Sequence, residues 1–217
     1  MKSTYIHGKC YYQGDNGIML PAVTTVLKAT QSPESLKALS HWRNKVGDIE
    51  ANRIAANSRR RGNALHQLIK KYLQGYLVKA DKSFVQPYWD SVQLVLNKIS
   101  DVQLVEQDAP NYVERYAGKV DLVARYQGVP HTIEWTTAEE AKPSIHRLYD
   151  KPLQLAAYTG SVNRHYSHIF KSKINHALIV VALPDRDAQI FSFNRSTLIN
   201  EWHNWLNRLR LFYKFFS

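Results

Sequence analysis

The sequence predicts an α/β fold, and three observations carry the prediction. Residues 116–137, YAGKVDLVARYQGVPHTIEWTT, alternate with period two on either side of a Gln127-Gly128-Val129-Pro130 turn, the pattern of two strands in a hairpin. Residues 177–183 form an apolar run that reads as a buried strand, with Ile190-Phe191-Ser192-Phe193 as an alternating partner. Segments with apolar residues at helical spacing precede and separate these strands.

Taken in order, residues 5–12 read as a short strand before the turn Gly14-Asp15-Asn16-Gly17. Residues 20–27 are apolar and lead to Ser32-Pro33, an N-cap followed by proline at the first helical position. A helix then carries Leu36, Leu39 and Trp42 and ends near Gly47, and a longer one runs from Asp48 to Leu73. A third helix, residues 84–99, has Pro87 in its first turn and Trp89, Val92, Val95, Leu96 and Ile99 as its apolar face. Residues 102–107 read as a strand, 112–115 as the approach to the hairpin, and 138–143 as a loop. Pro152 opens a helix over 153–166, and a last helix covers 196–216. That last helix spaces Leu198, Trp202, Trp205, Leu209 and Phe212 on one face, for a core or for a membrane surface.

With 217 residues, no repeat and no low-complexity linker, one domain is expected over 1–217. Within it, 1–100 reads as mostly helical and 101–217 as the α/β part. The net charge of +11 favours a polyanionic partner, for which nucleic acid is the usual choice. A single cysteine, Cys10, excludes an internal disulfide and a cysteine zinc site. No stretch is apolar enough to span a membrane, and the first residues resemble neither a signal nor a transit peptide. A soluble cytoplasmic monomer is therefore expected.

The candidate chemistry sits in the hairpin. Asp121 and Glu134 lie amid apolar neighbours on its two strands. A carboxylate in such a place costs several kcal/mol unless something pairs with it. A divalent cation is one partner; a solvated strand face is the alternative. Earlier, Arg59, Arg60 and Arg61 follow one another on a helix and so point in three directions. Gly62 next to them is a poor helix former, as if something approached the backbone closely, and His66 shares its face four residues on.

Together, Arg61-Gly62-x-x-x-His66 on a helix, Asp121 and Glu134 on successive strands, and Gln154-x-x-x-Tyr158 on the next helix resemble the RecB-type branch of the PD-(D/E)xK nuclease superfamily. The subgroup they most resemble is that of the single-strand exonucleases of mitochondrial genome maintenance type, from about Leu20 through Trp42-Arg43 to the last helix. The resemblance implies a restriction-endonuclease-like core, a central mixed sheet flanked by helices, with an N-terminal helical region arching over the site. It implies Mg2+ or Mn2+ held by His66, Asp121, Glu134 and the carbonyl of Trp135. It implies catalytic support from Gln154 and Tyr158, and a path for single-stranded DNA along Trp42, Arg43, Arg59, Arg60, Arg61 and Lys119. One position departs from the pattern: Thr136 stands where the family carries its lysine. Thr136 brings no charge, so the chain reads as an impaired exonuclease, or as a binding module that has lost catalysis. A lysine arriving from elsewhere is the third option, with Lys119 and Lys142 as candidates.

Overall fold

Why the hairpin sits at the centre follows from its composition: apolar residues on both faces can be buried only between two layers. The computed structural model describes residues 1–79 and 83–216. Strands β4 (Ile99–Asn111), β5 (Tyr116–Tyr126), β6 (Val129–Thr137), β7 (His176–Ala182) and β8 (Gln189–Phe193) form one five-stranded sheet in that order. Neighbours pair antiparallel except β6 and β7, which are parallel, so the sheet is mixed. A parallel step needs a crossover, and helix α5 (Lys151–His165) supplies it.

Helices α3 (Asp48–Leu73) and α4 (Gln86–Leu96) cover one face, where Leu65, Ile69, Trp89 and Val92 pack on Leu122, Ile133, Trp135 and Val180. On the other face α1 (Val23–Ala29), α5 and α6 (Arg195–Phe215) bring Val26, Val162, Trp205 and Phe212 onto Tyr116, Val120 and Val123. The last helix is therefore a core helix, not a membrane-surface one. No helix of the described residues is long and apolar enough to cross a membrane.

Several elements differ from expectation. The single N-terminal strand is a hairpin, β1 (Lys2–Ile6) with β2 (Lys9–Gln13), turned at His7-Gly8 and extended by β3 (Met19–Pro21). Gly8, at φ 74°, makes that reversal possible. Strand β4 is far longer than residues 102–107, and Ile99 belongs to it rather than to α4. Helix α2 (Pro33–Val46) forms with Ser32 as N-cap, but Leu36 and Leu39 are 50% and 47% exposed. Its apolar positions do not face a core: none of its residues is buried.

The alternation of β5 also breaks. Val120 packs with the α5–α6 layer, whereas Leu122, Ala124 and Tyr126 pack under α3 and α4. The period-two alternation expected of residues 116–137 would put Val120 and Leu122 on one face, and they lie on opposite ones. The slip falls at Asp121, whose place opposite β4 is Glu106, between the pairs Gln107–Val120 and Val105–Leu122. Glu106 has φ 51°, a left-handed conformation that costs about 1–3 kcal/mol in a non-glycine residue and collects at functional sites.

Close packing of α5 on α6 yields a test. A Cβ on Gly160 would collide with the indole of Trp202. Gly160→Ala is expected to destabilise the fold by about 1–3 kcal/mol through overpacking. A thermal melt checks this; an unchanged or raised midpoint would mean that Trp202 swings away freely.

Candidate metal centre

Four elements converge on the slip in β5. Helix α3 turns Leu65 and Ile69 to the core, and so turns Arg59, Gly62, Asn63, His66 and Lys70, three or four apart, to a cavity of about 580 Å³. His66 Nδ1 lies 3.0 Å from Glu106 Oε1 and 3.6 Å from Asp121 Oδ1, and its Nε2 lies 3.2 Å from the Trp135 carbonyl. One ligand atom each from His66, Glu106 and Asp121 fits within 4.8 Å of the others. The Trp135 N–H donates to Asp121 Oδ2 at 2.9 Å, which fixes that carboxylate and leaves Oδ1 toward His66.

Glu134 sits beside this cluster, 2% exposed. Its Oε1 accepts from Lys151 Nζ at 2.7 Å and from Gln154 Nε2 at 2.7 Å. Its Oε2 is buried and has no hydrogen-bond partner among the described residues. The Gln154 amide also reaches Tyr158 Oη at 3.1 Å, so the predicted pair on α5 forms one chain ending on Glu134.

The charges are frustrated. Burial first, and the Glu134 charge second, push the Asp121 pKa well above its usual value. Burial works against a charged His66, but the hydrogen bond to Glu106 and the Asp121 and Glu134 charges outweigh it and raise its pKa to about 9. Burial, with Glu134 and Asp121 adding to it, also raises the Tyr158 phenol. The buried Asp121, Glu106 and one imidazole within reach of one another, with an orphaned Glu134 oxygen beside them, fit a divalent cation. Carboxylate oxygens with one imidazole nitrogen are donors that a divalent cation accepts.

Other predicted residues divide. Arg61 is committed inside the protein: it pairs with Glu139, bonds Thr137 Oγ1 at 3.2 Å and lies over the Tyr88 ring at 4.6 Å. Arg60 stacks on Phe84 at 4.2 Å, and Arg43 is held by Asp48 at 2.6 Å and Asn52 at 3.2 Å. Arg59 faces the cavity. Trp42 lines a second cavity, of about 870 Å³, beneath α2. Lys119 is exposed on β5 and forms no ion pair among the described residues. A Cβ on Gly62 would meet nothing within 4 Å, so no atom of the described residues makes the expected close approach; the glycine leaves the cavity open.

Sequence reasoning missed two residues. Glu106 lay inside a predicted strand with no alternation to mark it. Lys151 stood one place before Pro152, outside the predicted helix, although it occupies that helix's first turn.

Over most of its length the chain is similar to mitochondrial genome maintenance exonuclease 1. Identity is 32% over 197 residues with the Mus musculus protein, covering 88% of this chain and 58% of the relative. It is 31% over 199 residues with the Homo sapiens protein, covering 88% and 57%. It is 31% over 202 residues with the Xenopus tropicalis protein, covering 90% and 58%. The chain thus spans little more than half the length of these curated relatives. No family model matches it. A solved structure, "Crystal structure of SSO0001", aligns at a TM-score of 0.38 and 15% identity over 86% of this chain and 74% of its own, too loose a likeness to bear on function.

His66 and Asp121 both hold protons more tightly folded than unfolded. The stability that His66 lends is fully present below its ordinary value of 6.5 and is lost as pH rises through about 9. With chelator present, the melting midpoint should therefore fall from pH 6.5 to pH 9, and His66→Gln should flatten that fall. A midpoint that rises over this range would refute the cluster's electrostatics.

Proposed function

We propose that this chain is a metal-dependent nuclease that hydrolyses single-stranded DNA as an exonuclease, of the RecB-like PD-(D/E)xK type. The observation that supports it most is the joining of one imidazole and three carboxylates, His66, Glu106, Asp121 and Glu134, beside a basic cavity. Similarity to proteins named as genome maintenance exonucleases supports the substrate class. These four side chains and the Trp135 carbonyl would hold Mg2+ or Mn2+. A bound divalent cation supplies Lewis acidity toward phosphate and water.

This chain's own residues do the rest. Gln154 fixes Glu134, and the Trp135 N–H fixes Asp121, so neither carboxylate has to reorganise during the reaction. Arg59 and Lys70 line the approach from the α3 side and meet phosphates. Trp42, on the α2 side, offers a ring for base stacking. Tyr149, 72% exposed on the rim of the same cavity, is a second one, displayed by a backbone at φ 53° and ψ −122°. The helices α2 and α3 then form the arch over the strand's path. A module that binds DNA without cutting it is the alternative, favoured by the uncharged Thr136.

Cleavage decides between them. A labelled single-stranded DNA with Mn2+ should be shortened from an end, and Asp121→Asn should leave it intact while still binding it. A substrate untouched by the unmodified protein would refute the nuclease reading.

Binding gives a second test. Arg59→Ala should lower the slope of log affinity against log salt by about one ion's worth. Arg61→Ala should leave the slope alone and lower thermal stability instead, because its guanidinium is already held by Glu139 and Tyr88. Equal losses of slope would place Arg61 on the DNA as well.

A further inference from the structure

We propose that Lys151, from the first turn of α5, supplies the positive charge at the scissile phosphate that no residue of β6 provides. The inference rests on the nuclease reading and adds to it the group that stabilises the transition state. The side chains of β6 on the Glu134 face are Thr132, Glu134 and Thr136, and none is cationic. Lys151 reaches the same place from the side: its Nζ is 2.7 Å from Glu134 Oε1. Among the described residues no other lysine or arginine pairs with Glu134 or Asp121. Lys119 is exposed, and Lys142 lines the larger cavity with no ion pair among the described residues.

Position argues for more than charge balance. The two cavities, one under α2 and one against α3, share Thr136, Thr137 and Lys151 in their walls. Lys151 stands where they meet. Its side chain is 32% exposed while that of Glu134 is 3% exposed, and it lines both cavities while holding the carboxylate. An ammonium carries three N–H donors. Glu134 takes one, and the others are free for a phosphate oxygen in the cavity.

Local construction points the same way. A cation in the first turn of a helix is opposed by the helix dipole. Helix α5 carries one there nonetheless, with Pro152 behind it to set the turn. The turn is anchored: Asp150 pairs with Arg208 at 3.1 Å, and Arg208 also bonds Thr30 Oγ1 at 2.6 Å and the Leu27 carbonyl at 2.6 Å. The residue before Lys151 is thereby tied to α1 and α6, which fixes where the helix starts.

In the hydrolysis, a water oxygen bonds to phosphorus and the bond from phosphorus to the leaving sugar oxygen breaks. The water gives its proton to solvent, and the leaving oxygen takes one from solvent. Lys151 remains an ammonium throughout and donates to a non-bridging oxygen as charge gathers there.

The test uses the full chain and the variants Lys151→Met, which keeps the stem, Lys151→Ala, and Thr136→Lys combined with Lys151→Ala. Single-turnover cleavage of labelled single-stranded DNA with Mn2+ should fall about 10²–10³-fold in both single variants. Affinity for that DNA in chelator should change by less than about threefold, since one phosphate contact among many is lost. Calorimetric Mn2+ affinity should hold or tighten, because the ammonium no longer competes for Glu134. The double variant should recover at least about tenfold of the lost rate, a strand-borne charge standing in for the helix-borne one. Cleavage that survives Lys151→Met overturns the inference alone. So does a slow variant that has lost Mn2+ binding or thermal stability, or a double variant with no recovery. An unmodified protein that cuts nothing removes the nuclease reading, and this inference with it.

Discussion

Everything at the site depends on accommodating the Glu134 carboxylate in a sheet interior. A carboxylate so buried costs several kcal/mol if left alone. One oxygen is compensated twice over, by Lys151 and Gln154. The other is left with no partner among the described residues. A purely structural ion pair has no reason to leave an acceptor bare in this way. The asymmetry divides the carboxylate into a held half and an available half. It also explains the order of α5: Lys151 and Gln154 are one turn apart, so both heads reach the same oxygen, and Tyr158 one further turn on steadies the amide.

The second constraint is geometric. A regular sheet would send Glu106 and Asp121, opposite each other on β4 and β5, along with the strict alternation of their strands. Instead β5 changes face at Asp121, and Glu106 takes a left-handed conformation. The irregularity brings both carboxylates within reach of His66, which approaches from α3. Strain of about 1–3 kcal/mol at Glu106 is offset by the packing of two full layers around it. The same change of face lets Gly118 and Val120 look toward α5, where Gly118 leaves room for the Tyr158 ring.

How much of this was legible follows from which signals are local. The hairpin, α3 and most of α5 showed in periodicity, and Asp121 and Glu134 stood out because they interrupted apolar strands. His66 and Gln154 were found through spacing and resemblance. Glu106 was not, because its neighbours in sequence, Val105 and Gln107, give no clue that the backbone turns left-handed between them. Lys151 was not, because a proline is a strong mark of a helix start and drew the boundary one residue late. Leu36, Leu39 and Trp42 show a different limit: their helical spacing marks a helix, yet that helix buries none of its residues and lies over a cavity. Periodicity reports that a face is apolar, not that this chain covers it.

That uncovered face fits the division of labour across the site. The carboxylates, Lys151 and Gln154 ride on the sheet and on α5, both fully packed. Helix α2 buries no residue and is fastened mainly at its ends, by the Ser32 cap and by the pairing of Arg43 with Asp48. An element with few buried contacts opens at lower free energy than the core. The half of the site that must be exact is therefore the stable half. The half that would admit a polymer under the proposed function, the cavity that Trp42 and Lys151 both line, can yield without disturbing the geometry at Glu134.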